Sequence, residues 1–196
     1  MALANFLSGT HASILNGKLV LSGATAINVT KWTYNGTTWS LTTSSAGIPL
    51  ESIVADSLAI TQDDPETSTI DCETSDSPIK SVTRMGSYTI TMTCADIQKD
   101  ILTTLLGYEG ITSGGAAGSD YIIAPSSQKD NYVAIEILFG DQCSLVCPKV
   151  QLTSKIDASN LKSETVKCTI SGTMEEYEIA SGKKTPFFVN QKAAGA

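Results

Sequence analysis

Six carboxylates, Asp63, Asp64, Glu66, Asp71, Glu73 and Asp76, crowd the stretch "DDPETSTIDCETSD" with no lysine or arginine among them. Clustered acids can hold a hard cation such as calcium, but the D-x-[DN]-x-[DN]-G spacing of an EF-hand loop is missing. Two of them could serve as acid and base on a glycosidic bond, which needs carboxyl groups about 5 to 10 Å apart, and nothing in the sequence says which two. They can keep a loop solvated, or they can meet cations on a neighbouring protein surface. Other reactive groups are sparse. His11 is the single histidine, so any Ser-His-Asp or Cys-His device would have to be built on it. Cys143 and Cys147 have a spacing that could serve a metal, yet no second pair completes a tetrahedral set. The sequence points away from an enzyme and implies no cofactor.

The chain that must position these residues has 196 of them, enough for one sizeable domain spanning 1–196. Apolar residues make up 41% and charged residues 17%, an ordinary globular balance. A net charge of −7 opposes tight binding of nucleic acid phosphates. The apolar runs fall far short of the roughly 20 residues of a spanning helix. "MALANFLSGTH" lacks the cationic start and long apolar stretch of a signal peptide, so synthesis in the cytoplasm and no membrane partner are expected. Five cysteines are an odd number in a chain too long to need staples, which favours free, partly buried thiols.

Threonine, serine and glycine crowd the chain while runs of helix-forming alanine and leucine are scarce, and the elements read as mostly β. In "KWTYNGTTWSL" the Asn35-Gly36 pair predicts a two-residue type I′ turn, which places Trp32 opposite Trp39. Those tryptophans would pack together or, with Tyr34, offer a stacking face to a sugar. "MGSYTITMTC" alternates, with Tyr88, Ile90, Met92 and Cys94 on one face and Thr89, Thr91 and Thr93 on the other. The period changes in "ADIQKDILTTLLGYEG", where Ile97, Ile101, Leu102 and Leu105 share a helical side and Gly107 stands at the C-terminal cap. "GYEGITSGGAAGS" (107–119) has neither a Walker lysine nor GxGxxG spacing and reads as a surface loop leading into the strand "DYIIAP". In "NYVAIEILF" the face of Val133, Ile135, Ile137 and Phe139 is apolar, and Glu136 lies on a semi-polar face. "ETVKCTISG" turns Val166, Cys168 and Ile170 inward, and the opposite parity of Tyr177 and Ile179 predicts a bulge near Gly172. A short strand and a frayed tail, about 190–196, close the chain. The outline is mainly β: a β-sandwich or barrel with one flanking α-helix and a long acidic loop at about 60–80.

Taken together, "ADSLAITQDDPETSTIDCETSDSPI", the strand that follows it, "TCADI", a helix and "LLGYEG" resemble the tail tube proteins of long-tailed bacteriophages. The resemblance covers residues 50 to 110 and is only architectural elsewhere. It implies a structural virion protein that assembles with itself into stacked hexameric rings, a tube through which DNA passes without tight binding. It also implies tape measure, tail terminator and distal tail proteins as partners, and a place in the virion tail after synthesis in the bacterial cytoplasm. The acidic loop would then bridge subunits through Asp63, Asp64, Pro65, Glu66, Ile70, Asp71, Glu73, Asp76, Pro78 and Ile79. Lys80, Arg84, Lys99, Lys149 and Lys155 are cations that a neighbouring copy could offer, and Glu136 would face the lumen. The alternatives are a tube subunit of a contractile injection or type VI secretion system, and a monomeric β-sandwich that binds carbohydrate or another surface.

Overall fold

The computed structural model describes residues 24–34, 37, 39–41, 47–72, 75–95, 101–102, 108–112, 120–123, 131–139, 143–157 and 166–191. The described strands begin with β1 (Ala26–Tyr34), β2 (Trp39–Leu41), β3 (Ile48–Pro49), β4 (Ala59–Gln62), β5 (Glu66–Cys72), β6 (Ser75–Arg84) and β7 (Tyr88–Cys94). They continue with β8 (Glu109–Thr112), β9 (Asp120–Ile123), β10 (Tyr132–Phe139), β11 (Cys143–Asp157) and β12 (Lys167–Met174), then β13 (Tyr177–Ala180), β14 (Lys183–Thr185) and β15 (Phe188–Gln191). Nine strands form one sheet in the order β2-β1-β10-β11-β12-β7-β4, with β3 also on β1 and β15 also on β11. Its pairings are antiparallel, and it curls into a half-barrel. The other strands pair as three separate hairpins, β5–β6, β8–β9 and β13–β14.

Period-two patterning decides which way each strand faces. Ile90, Met92 and Cys94 of β7 and Cys168, Ile170 and Met174 of β12 turn into one core with Val133, Ile135 and Ile137 of β10. Ile27 and Val29 of β1 join them. Ile101 and Leu102 are buried in the same core, but the rest of the expected helix lies outside the described residues. Strand β10 was expected to be semi-polar on one face. It is buried on both, because Ala134 and Glu136 are as enclosed as their neighbours.

The 15-residue β11 serves two neighbourhoods in succession. Its start runs between β10 and β15, and its end pairs with β12. Between them the register slips: Val133 lies opposite Val150 but Ile135 lies opposite Cys147, so β11 carries one extra residue in the region of Pro148 and Lys149. A proline has no N–H for the ladder and suits such a bulge. The extra residue changes the inward parity, from Leu145 and Cys147 before it to Val150 and Leu152 after it.

Several expectations are corrected here. The hairpin of β1 and β2 forms, but Tyr34 pairs with Trp39 and Trp32 with Leu41, so four residues rather than two separate the last pair. The bulge expected near Gly172 is absent: β12 keeps a constant register with β11 and β7 through that residue, and the chain instead leaves the sheet after Met174 to start the β13–β14 hairpin. Gly172 has a packing role, since a Cβ there would collide with Val150 and Leu152. Residues 109–112, placed in a loop, form strand β8. The acidic segment is not an extended loop over most of its length but the two strands β5 and β6. Asn190 and Gln191, placed in a frayed tail, belong to β15 and pair with Ser144 and Cys143, and residues 192–196 lie outside the described residues.

Candidate functional site

The chain joins the β5–β6 hairpin to the large sheet through β4 on one side and β7 on the other, and among the described strands β5 and β6 pair only with each other. Its base is locked where the two connections meet: the Asp63 N–H donates to the Ser87 carbonyl at 2.9 Å, and the Ser87 hydroxyl donates to the Asp63 carboxylate. Gly86 lies so close to Asp63 that an added Cβ would strike its carbonyl group. From there Pro65 leads into β5, and every described side chain from 66 to 70 and from 80 to 84 is exposed. An arm therefore stands off the fold.

Register gives the arm two unlike faces. Glu66 pairs with Arg84, Ser68 with Val82 and Ile70 with Lys80 on one face. Thr67 and Thr83, whose hydroxyls are 3.1 Å apart, share the other with Thr69 and Ser81. Ile70 and Val82 are 58% and 40% exposed, and such apolar groups beside charges suit burial against another surface. Lys80 and Arg84, expected as cations for a neighbour's loop, are built into the arm itself. Asp71 and Asp76 lie on its far portion, as do Pro78 and Ile79 on the β6 backbone. Glu73 lies outside the described residues.

The remaining sequence-derived residues are dispersed. Lys149 makes a 2.6 Å ion pair with Glu175 and sits 4.4 Å from the Tyr132 ring centre, while the Tyr132 hydroxyl donates to Glu175 at 2.9 Å. That cation is engaged within its own chain. Lys155 is exposed near the end of β11, and Asp64 is exposed beside the arm base. Lys99 and His11 lie outside the described residues. Glu136, expected on a lumen wall, is fully buried in the single chain, with Asn28 and Val146 opposite it and Thr30 and Ser144 buried on the same face. Trp32 is not a stacking platform: it is 5% exposed, its ring lies 5.5 Å from that of Tyr177, and its Nε1–H donates to the Pro148 carbonyl at 2.9 Å. Cys94, Cys143, Cys147 and Cys168 are free and buried. Among the described residues no three His, Cys, Asp or Glu side chains are gathered to hold a metal.

A second surface was not singled out from the sequence. On the side of the sheet away from the core, β4, β7, β12 and the end of β11 present hydroxyls: Thr61, then Thr89, Thr91 and Thr93, then Thr169, Ser171 and Thr173, then Thr153. All are exposed or half-buried, and Thr93 and Thr169 approach to 3.4 Å across the strands. Charge enters at its ends, with Lys155, Asp157 and Lys167 at one and Asp63 and Glu175, which continue β4 and β12, at the other. The alternating threonines of "YTITMTC" and "KCTISGTM" were the available signal. Fold and surfaces together define a β-sheet protein with a projecting arm and a bare hydroxylated face. No protein-family model and no curated protein matches the chain.

Proposed function

We propose that this chain is a tail tube subunit of a long-tailed bacteriophage, a structural protein that assembles into stacked rings around a passage for DNA. The observation that carries the reading is the β5–β6 arm. A lone two-stranded hairpin is marginally stable in water, and this one displays Ile70 and Val82 to solvent, so it gains most of its order by packing on another molecule. A second copy is the natural partner for an assembly of one protein. The threonine face supports the same reading, since its hydroxylated middle offers phosphates no row of cations. Tape measure, terminator and distal tail proteins belong to the proposal through the sequence resemblance alone.

The test is electron microscopy of the purified protein beside a variant in which residues 66–84 are replaced by a short glycine-serine turn. The intact protein should give rings and tubes. The variant should keep its β-rich circular dichroism and lose stacking; tubes of normal length without the arm, or only monomers of the intact chain at high concentration, would refute the reading.

A further inference from the structure

Register brings two of the cysteines face to face. Cys94 ends β7 and lies directly opposite Cys168, the second residue of β12, on the core side of the sheet. Both are free and 1% exposed. Ile53 lies beyond Cys94 and Ile156 beyond Cys168, so the two thiols form the middle of one row across four segments. Cys143 and Cys147 have no such relation: they share a strand, about 13 Å apart, and pair with Phe139 and Ile135 of β10.

The backbone sets the distance between the two side chains. The Val54 N–H donates to the Thr93 carbonyl at 2.8 Å and the Ala95 N–H to the Ser52 carbonyl at 3.0 Å, so the main chain of Thr93 and Ala95 turns toward Ile53. By alternation the N–H and C=O of Cys94 turn toward Cys168, which makes the two a hydrogen-bonded pair. Cα atoms in such a pair are about 5.5 Å apart, inside the span of a disulfide, but the Cβ atoms stand at about 5.5 Å where a relaxed bridge prefers about 3.8 Å. A bond between these sulfurs is within reach but strained, and strained bridges are the readily reduced ones. The pair also sits near the end of the sheet, since beyond Cys168 the described ladder has one more rung, Asp157 with Lys167. Fraying of these last rungs admits a small uncharged oxidant.

We propose that Cys94 and Cys168 are a reversible redox pair, joined by hydrogen peroxide into a strained disulfide that staples β7 to β12 and reopened by thiols. One sulfur, as thiolate, attacks the O–O bond and becomes a sulfenic acid, while hydroxide leaves and takes up the released proton. The second thiol then attacks the sulfenic sulfur, and its proton departs with the oxygen as water. Two thiols and one peroxide give one disulfide and two waters. Reopening consumes two molecules of a thiol such as glutathione, which leave as their own disulfide. Burial pushes both thiols up, and Cys94 adds to the rise at Cys168, so reaction follows opening of this end of the sheet and quickens with pH. The bridge closes residues 95–167 into a loop and so restricts the unfolded chain. It belongs to a single copy and does not depend on the ring reading.

The test is peptide mapping by mass spectrometry on the unaltered chain, oxidised with hydrogen peroxide, alkylated in urea and digested. A peptide linked through Cys94 and Cys168 should appear, form faster at pH 9 than at pH 7, and vanish after equilibration with reduced glutathione. The oxidised protein should unfold at a urea concentration higher by about 0.5–1 M. Cys94→Ala and Cys168→Ala should each abolish the linked peptide and the urea shift, whereas Cys143→Ala should keep both. The proposal would be overturned by peroxide-treated chains in which the two thiols are still alkylated, are each oxidised to sulfinic acid, or are linked to other cysteines. A bridge that glutathione leaves intact at equilibrium would overturn its reversibility.

Discussion

At the scale of single residues, burial decides which chemistry is silenced. The Cys147 thiol is pushed up to about 12 and the Cys168 thiol to about 11, in both cases chiefly by desolvation, with Cys94 across the strand pair adding to the rise at Cys168. The thiolate is the nucleophile, so these groups are inert in the folded protein near neutral pH. Their ordinary value is 9.0. Between pH 9 and these raised values the unfolded chain releases protons that the folded chain keeps, so their contribution to stability is complete below pH 9 and declines as pH climbs. The slope is about 1.4 kcal/mol per pH unit for each thiol. Urea midpoints should fall from pH 9 to 11, and Cys147→Ala should fall less steeply; equal slopes would contradict this account. Trp32 follows the same logic in a polar form, since its indole N–H is enclosed because the Pro148 carbonyl receives it.

At the scale of elements, the arm depends on its base more than on its own ladder. Gly86 permits the close approach to Asp63, and Gly86→Ala would force two main-chain segments apart. A cost of about 1–3 kcal/mol is expected, as for other overpacked sites. It should appear as a lower urea midpoint and as faster proteolysis at 63–65 and 85–87; unchanged cleavage there would show that the base is not the anchor. The same comparison explains what could be read in advance. β7 and β12 were legible because one face is buried and the other is not, which writes alternation into Ile90, Met92, Cys168 and Ile170. β5 and β6 were not, because solvent lies on both faces and Thr67, Ser68 and Thr69 carry no alternation. Asn35-Gly36 announced a hairpin but not its register, since turn preference yields to the pairing of Tyr34 with Trp39. Tyr177 and Ile179 seemed to need a bulge only because a single sheet was assumed. The acidic segment was legible as an exposed site, while the threonine face needed the order of strands before its pieces met.

At the scale of the whole molecule, copies with a net charge of −7 repel one another. Screening shortens that repulsion from about 30 Å at 0.01 M salt to about 8 Å at 0.15 M. With Lys149 engaged internally by Glu175, light scattering should show faster assembly across this range. Slower assembly would indicate that charge pairs between copies dominate. The added residue at Pro148 and Lys149 carries a different consequence, for how such a chain can change over time. Point replacements there leave the downstream half of β11 right side out, whereas dropping one residue would turn Val150 and Leu152 to water and drive Gln151 and Thr153 into the interior. The segment can vary in chemistry, but its length is held by everything that follows it.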